Sequence, residues 1–266
     1  MPRPQFARPC LIGVVHLLPT PGAPRFVGSF DAVLAHARTD ARALAENGCD
    51  AVIVENFGDT PFHPGAVPPE TVAALALCVS AVREVARSLP VGVNVLRNDV
   101  RAALGIAAVT GGAFVRVNVH TGAAVTDQGI VEGRAHETVR ERARIAPDVA
   151  ILADAQVKHA TSLSSETLAE TVHDLVLRAM ADGVIVSGPA TGRPPTADRV
   201  REAREAAGSV PVLVGSGLDA SNARALLAHA TGAIVGTALK HDGRVANPVD
   251  PARVRALRQL FDEVAR

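Results

Sequence analysis

The sequence predicts an α/β fold, namely a single (β/α)8 TIM barrel with a parallel eight-stranded sheet and surrounding helices. Eight short apolar runs recur along the chain, and nearly all of them end in polar or glycine residues that precede a longer loop. The opposite ends of these runs are joined by brief connectors, such as 47–50, 89–90 and 111–112, whose residues are typical of turns. This asymmetry indicates a barrel whose working face lies at the carboxyl ends of the strands.

The eight strands are rich in Val, Ile or Leu without strict alternation, as is typical of parallel strands that are covered on both faces. Helical patterns lie between them. In the first helix Asp31 is the expected cap and Gly48 the expected end, and the last helix opens with the cap and first-turn proline Asp250 and Pro251. We expect the strands at 11–15, 51–54, 91–95, 113–119, 149–153, 183–186, 211–214 and 233–236.

The length of 266 residues is close to the roughly 250 residues that are usual for such a barrel. We therefore expect residues 1–266 to form a single TIM-barrel domain without a linker. Hydrophobic residues make up 48% of the chain and charged residues 20%, which is enough to bury a large core and is unlike a disordered chain.

Composition also excludes several classes of function. The 27 basic residues balance the 27 acidic ones, and the chain has no Trp or Tyr, so it offers neither a basic field nor stacking platforms for nucleic acid. Cys10, Cys49 and Cys78 are widely spaced and odd in number, which predicts reduced, buried thiols. The apolar runs are too short for a signal peptide or a transmembrane segment, so we expect a cytoplasmic protein. The sequence leaves open whether the protein forms a homo-oligomer.

Alternation along the strands predicts which polar side chains face the barrel axis, because the outward set must be apolar to pack on helices. In the fourth strand this places Arg116, Asn118 and His120 inside the barrel. The same argument turns Asn94 inward and puts Asp154 on a face shared with Gln156. A buried arginine needs an acid or a bound anion as its partner.

Four residues are candidates for catalysis. Glu55 and Asp154 end the second and fifth strands, so they are expected to approach one cavity and to divide the roles of acid and base; alternatively, they only neutralise Arg116 and Lys158. Lys158 suits a base, a Schiff-base nucleophile, a phosphate ligand or an exposed loop lysine, and sequence does not separate these. His159 is an acid or base candidate, with a structural role as the alternative.

The loops after the last two strands are candidates for phosphate binding, because glycines there let backbone amides approach an anion. The alternative is that these glycines only form tight turns. Lys240, further along, would add charge or lie on the surface. The candidate phosphate ligands are Gly215, Ser216, Gly217, Gly236 and Thr237, and the candidate substrate ligands are His16, Asn94, Arg116, Asn118 and Ser187.

No cofactor is required by the sequence. His16, Glu55, Asp154 and His159 leave a divalent metal possible, but no His-x-His or His-Glu-x-x-His spacing is present, so we expect no metal site. A serine-hydrolase elbow and a dinucleotide fingerprint are also missing. Four segments are expected to border the same face, the longer two as lids: 17–25, 57–69, 98–99 and 127–129.

The chain carries a series of specific blocks in order: 14–17 with 21–24, 54–56 with 59–62, 92–99, 116–118, 127–129, 158–159, 191–192 and 214–217. With these blocks it resembles the BtpA/SgcQ family from end to end. The resemblance implies a TIM barrel of the ribulose-phosphate-binding type. It also implies two kinds of function, since the family takes its name from a cyanobacterial member associated with photosystem I biogenesis, while other members accompany sugar-metabolism genes.

Two hypotheses follow from different classes of function. The first is an isomerase-like or aldolase-like enzyme whose partner is a small phosphorylated sugar or related metabolite. The second is a non-catalytic biogenesis or stability factor of a membrane complex such as photosystem I. The second predicts an exposed apolar patch or a basic amphipathic helix, and the sequence shows neither.

Overall fold

The computed structural model describes residues 9–157, 159–188 and 193–265. Eight parallel strands close into a barrel, as predicted, in the order β1-β2-β3-β4-β7-β9-β10-β11, and β11 pairs with β1. These strands are β1 (Cys10–His16), β2 (Ala51–Glu55), β3 (Val91–Asn94), β4 (Phe114–Val117), β7 (Ala150–Ala155), β9 (Gly183–Val186), β10 (Val212–Val214) and β11 (Gly232–Val235).

Helices surround the barrel. The helix α5 continues into a π-helical segment, Asp174–Arg178. Asp250 caps α8 through Ala252 N, as predicted, but Ser29 rather than Asp31 occupies the cap of α1, and Asn47 rather than Gly48 ends it. The helices are α1 (Phe30–Glu46), α2 (Pro69–Ala86), α3 (Val100–Thr110), α4 (Ala135–Ile145), α5 (Leu168–His173), α6 (Ala197–Ala207), α7 (Ala223–Leu227) and α8 (Pro251–Val264).

A small antiparallel sheet, which the sequence analysis missed, lies beside the barrel. It consists of β5 (Ala123–Thr126), β6 (Gly129–Glu132) and β8 (Ala160–Ser162) in the order β6-β5-β8. Its inner face packs on Val119 and Val157. The segment 127–129, expected to border the working face, contains at 127–128 the turn of the β5–β6 hairpin.

Two apolar layers hold the barrel together. A large cluster fills the space between sheet and helices, and a second cluster, with Ile53, Phe114 and Leu152 among its members, fills the barrel interior. Gly92 makes room for the ring of Phe114, since a Cβ at this glycine would lie 2.1 Å from that ring. The interior is therefore a packed floor rather than a channel.

Candidate active site

A polar layer covers the apolar floor of the barrel. One residue at or just beyond the carboxyl end of each barrel strand belongs to this layer. It lies two residues after the last apolar residue that the strand places in the barrel interior, because successive side chains alternate between the two faces of a sheet. In β3 it lies two residues after Gly92. Parallel pairing brings His16 opposite Glu55 and Glu55 opposite Asn94. The eight positions of this layer are His16, Glu55, Asn94, Arg116, Asp154, Ser187, Gly215 and Gly236.

Arg116 lies at the centre of the layer and is 4% exposed. Its Nε donates to Asp154 Oδ2 at 3.1 Å and its Nη2 to Asp154 Oδ1 at 3.0 Å, while Nη1 donates to Glu55 Oε1 at 3.4 Å. Burial alone would lower the pKa of Arg116, but the two carboxylates outweigh it and raise this pKa above its ordinary value. Both partners considered for this arginine are thus in place.

Both oxygens of Asp154 are occupied by donors. In addition to the fork of Arg116, Asn118 Nδ2 donates to Oδ2 at 2.8 Å and Ser187 Oγ donates to Oδ1 at 3.4 Å. The carboxylate therefore holds the guanidinium of Arg116 and the amide of Asn118 in place, and its catalytic role stays a prediction.

Glu55 is arranged differently. Its Oε1 accepts from Asn94 Nδ2 at 3.0 Å as well as from Arg116, and its Oε2 lies 4.0 Å from His16 Nε2. The His16 ring in turn packs against Phe57, with 4.7 Å between ring centroids. Glu55 and His16 are close enough to act on one small molecule.

A cavity of about 550 Å³ contains His16, Glu55 and Arg116 together with the glycine loops at 215–217 and 236–237. A Cβ at Gly236 would lie 2.6 Å from His16 Cε1, so the glycine lets this loop approach the imidazole. Gly217 has φ +70°, a conformation that favours glycine. Arg253 of α8, which the sequence analysis missed, also lines this first cavity.

Thr237 begins a single 3-10 turn, Thr237–Leu239, directly after Gly236. The hydroxyl of Ser216 accepts from Gly188 N at 3.3 Å and donates to Arg193 O at 3.5 Å. Ser216 therefore also ties together two loops of the working face.

A second cavity of about 690 Å³ lies on the side of β4, β7 and β9, and it is lined by Asn118, Asp154 and Ser187. The boundary between the two cavities is thin. A Cβ at Gly215 would lie 2.6 Å from Ser187 Oγ and 3.5 Å from Arg116 Nη2. The candidate substrate ligands are thus divided between two adjoining cavities, and Asn94 supports Glu55.

Other candidates lie elsewhere. Lys158, and the block 191–192, fall outside the described residues. His159 is exposed and has φ +56° just before β8, so its catalytic role stays a prediction. His120 was predicted to face the barrel interior, but it does not belong to the polar layer, because β4 ends before this residue. The Nε2 atom of His120 lies 3.0 Å from Ala179 O. Lys240 is neither a phosphate ligand nor a surface residue, because it is buried against Asp40 of α1.

Arg97 is a further buried charge that sequence reasoning did not single out. Burial lowers its pKa, while Asp154 and Asp127 act in the opposite direction. Its inclusion in the block 92–99, next to a polar strand end, was the available signal.

The expected lid segments are fastened to each other by Asp59, which accepts from Thr20 N at 2.7 Å and from Thr20 Oγ1 at 2.9 Å.

Across residues 9–157, 159–188 and 193–265, no group of three or more His, Cys, Asp or Glu side chains is arranged to hold a metal ion. Over the same residues, no helix has the length and apolar character that crossing a membrane requires.

The family of the chain follows from its similarity to known proteins. A sequence model described as the BtpA family matches residues 7–263. The chain belongs to this family. A relative named photosystem I biogenesis protein BtpA, from Synechocystis sp., is 46% identical over 95% of this chain and 88% of the relative. An uncharacterised protein of Thermococcus kodakarensis is 48% identical over 97% of each chain.

Solved structures share the fold of this BtpA-family protein at low sequence identity. N-(5'-phosphoribosyl)anthranilate isomerase from Pyrococcus furiosus matches with a TM-score of 0.61 and 13% identity, over 96% of this chain and 99% of that chain. At this identity the likeness shows the TIM barrel alone.

Proposed function

We propose that the protein is an enzyme that acts on a small phosphorylated sugar or related metabolite by proton transfer, as an isomerase or aldolase does. One observation carries the proposal: Glu55, His16 and Arg116 line the same cavity as the glycine loops at 215–217 and 236–237. Barrels commonly bind phosphate at the loops after the seventh and eighth strands. A phosphate held there would orient the rest of the substrate over Glu55.

In this proposal Glu55 is the general base. Asn94 and Arg116 fix one of its oxygens, and the other points toward His16. Glu55 would take a proton from the carbon beside a carbonyl and return it to the former carbonyl carbon. His16 would donate a proton to the carbonyl oxygen and accept one from the hydroxyl of the neighbouring carbon, so that the carbonyl moves by one carbon. The charge of Arg116 would stabilise the enediolate that forms between these steps.

Asp154 takes a positioning role in this scheme, because its oxygens are already occupied by Arg116, Asn118 and Ser187. Lys158 stays a predicted carbonyl or phosphate ligand, and Lys158→Ala tests it separately.

The test combines binding with proton exchange. Pentose and hexose phosphates that raise the melting temperature are incubated with the protein in D2O, and NMR follows deuterium entry at the carbon beside the carbonyl. Glu55→Gln should slow this exchange by about 10²–10⁴-fold and should leave the thermal shift by inorganic phosphate in place. The control is Glu137→Gln, an exposed glutamate on α4. An unchanged exchange rate in Glu55→Gln would refute the assigned base.

Phosphate binding is tested at Gly236. Gly236→Val would drive a side chain into the His16 ring and occupy the loop that faces the cavity. It should abolish the shift by inorganic phosphate, whereas Gly105→Val, at an α3 glycine whose Cβ would meet nothing within 4 Å, should retain the shift. If both variants bind phosphate equally, the cradle lies elsewhere.

A second candidate function is that of an assembly or stability factor, as the name of the Synechocystis relative indicates for that protein. The observation that favours it is an apolar pair, Val125 and Ile130, which face each other across β5 and β6 and are 44% and 59% exposed. This exposed pair departs from the sequence-based expectation that no such patch is present. If Ile130→Lys abolishes recovery of photosystem subunits with the protein while ligand shifts persist, this function is favoured.

A further inference from the structure

The second cavity, on the side of β4, β7 and β9, is built for polar contacts that the proposed proton transfer does not use. Asn118 lies in it and is 2% exposed. Because Asn118 Nδ2 donates to Asp154, its Oδ1 must be the acceptor, and this atom has no hydrogen-bond partner within the described residues. A buried acceptor that is left unpaired is unfavourable, so the site is suited to a ligand that brings a donor.

The remainder of the cavity narrows the chemistry of that ligand. Its lining is rich in hydroxyl groups, among them Thr161, Ser162 and Thr171. Arg199 also lines it, and its Nη2 donates to Gln156 Oε1 at 2.8 Å. None of the described residues that line it is aromatic. This composition favours a polyhydroxylated group over a nucleobase, which would need a ring to stack on.

The two cavities adjoin at the polar layer. Gly215 and Ser216 line the first cavity and contact Ser187 and Gly188 of the second, and Arg116 of the first is paired with Asp154 of the second. Each volume lies within the roughly 300–1,000 Å³ of a complete ligand pocket. A single pentose or hexose phosphate would fill only one of them.

We infer that the substrate is a phosphorylated sugar extended by a second sugar-like group, whose hydroxyls occupy the second cavity and donate to Asn118 Oδ1. This inference rests on the proposed function and specifies its substrate class. The phosphate lies against the loops at 215–217 and 236–237, the reacting carbons lie near Glu55, and the extension crosses the Arg116–Asp154 pair.

The experiment compares three kinds of probe by calorimetry: inorganic phosphate, glucose 6-phosphate as the monosaccharide, and phosphorylated reducing disaccharides, namely maltose and cellobiose that carry phosphate on O6 of the reducing unit. At least one disaccharide phosphate should bind about tenfold more tightly than the monosaccharide phosphate. Ser162→Trp, which fills the second cavity from β8, should reduce this ratio to about one and leave the affinity for inorganic phosphate unchanged.

The matched control is Val109→Trp, which places the same side chain at an exposed position of α3 that lines neither cavity and should keep the tenfold ratio. If inorganic phosphate and glucose 6-phosphate bind but no disaccharide phosphate binds more tightly, the inference about the extension is overturned and the proposed function stands. If the ratio persists in Ser162→Trp, the extension lies outside the second cavity. If no phosphorylated probe binds, the proposed function fails as well.

Discussion

Replacement of Arg116 by Met tests the central ion-pair network most directly. Arg116, Glu55 and Asp154 are each at most 5% exposed, so solvent screens their charges little. Removal of the guanidinium leaves two buried carboxylates without their counter-ion. Loss of one partner of a buried pair costs about 3–5 kcal/mol.

This magnitude is large enough to measure. One kcal/mol shifts the melting temperature by about 2–4 °C in a protein of 150–250 residues, so Arg116→Met should melt roughly 6–20 °C below the wild type. Urea unfolding at neutral pH should show the same loss as a lower midpoint. Arg116→Lys keeps the charge but not the bidentate contact with Asp154. Its melting temperature should therefore lie between those of the wild type and Arg116→Met.

The control is Arg201→Met, which removes an exposed partner of Asp198 on α6. An exposed helical pair of this kind contributes about 0.3–0.5 kcal/mol. If Arg116→Met loses no more stability than Arg201→Met, the reasoning that the polar layer depends on this arginine is wrong.

Three further predictions concern other buried groups. Burial raises the pKa of each cysteine thiol to about 12, so a disulfide reagent at pH 8 should label the protein only after denaturation. The free energy of unfolding should also fall as pH rises above about 9, because the thiols then ionise in the unfolded chain but not in the folded protein. Burial lowers the pKa of His120, so stability should fall as pH drops below about 6.5, and urea titrations of His120→Gln should show a smaller loss. Lys240→Met should remove the lysine counter-ion of the buried Asp40 carboxylate, which keeps its hydrogen bond from Val249 N, and should cost about 3–5 kcal/mol in the same titrations. A loss below about 1 kcal/mol would contradict the importance of this pair.

Much of the barrel was predictable because its signal is local. Short segments of sequence contain the apolar runs, the turn residues and the alternation that predict the strands. Alternation alone predicted that Asn94 and Arg116 face the barrel axis. The small sheet escaped because β5, β6 and β8 are only three or four residues long, and β8 pairs with a strand far away in the chain. The Gly129 turn between two apolar pairs was the signal that could have revealed its hairpin.

The polar layer was predictable as a set of strand ends, but the division of labour within it was not. Whether Asp154 meets a substrate or holds Arg116 depends on which donors reach its oxygens, and those donors come from β4 and the end of β9. The same limitation applies to Lys240, whose partner Asp40 is 200 positions away. Alternation ceased to apply at His120 because the regular strand ends at Val117.

The contact of Lys240 with Asp40 has a consequence for how the chain acquires its native form. Asp40 belongs to the first helix, whereas Lys240 follows the last strand, so the contact fastens the seam where the ring of strands closes. A ring has no unpaired edge only when that seam is shut. During synthesis the sheet therefore keeps two open edges until nearly the whole chain has emerged from the ribosome, and this interval is when the protein is most exposed to aggregation.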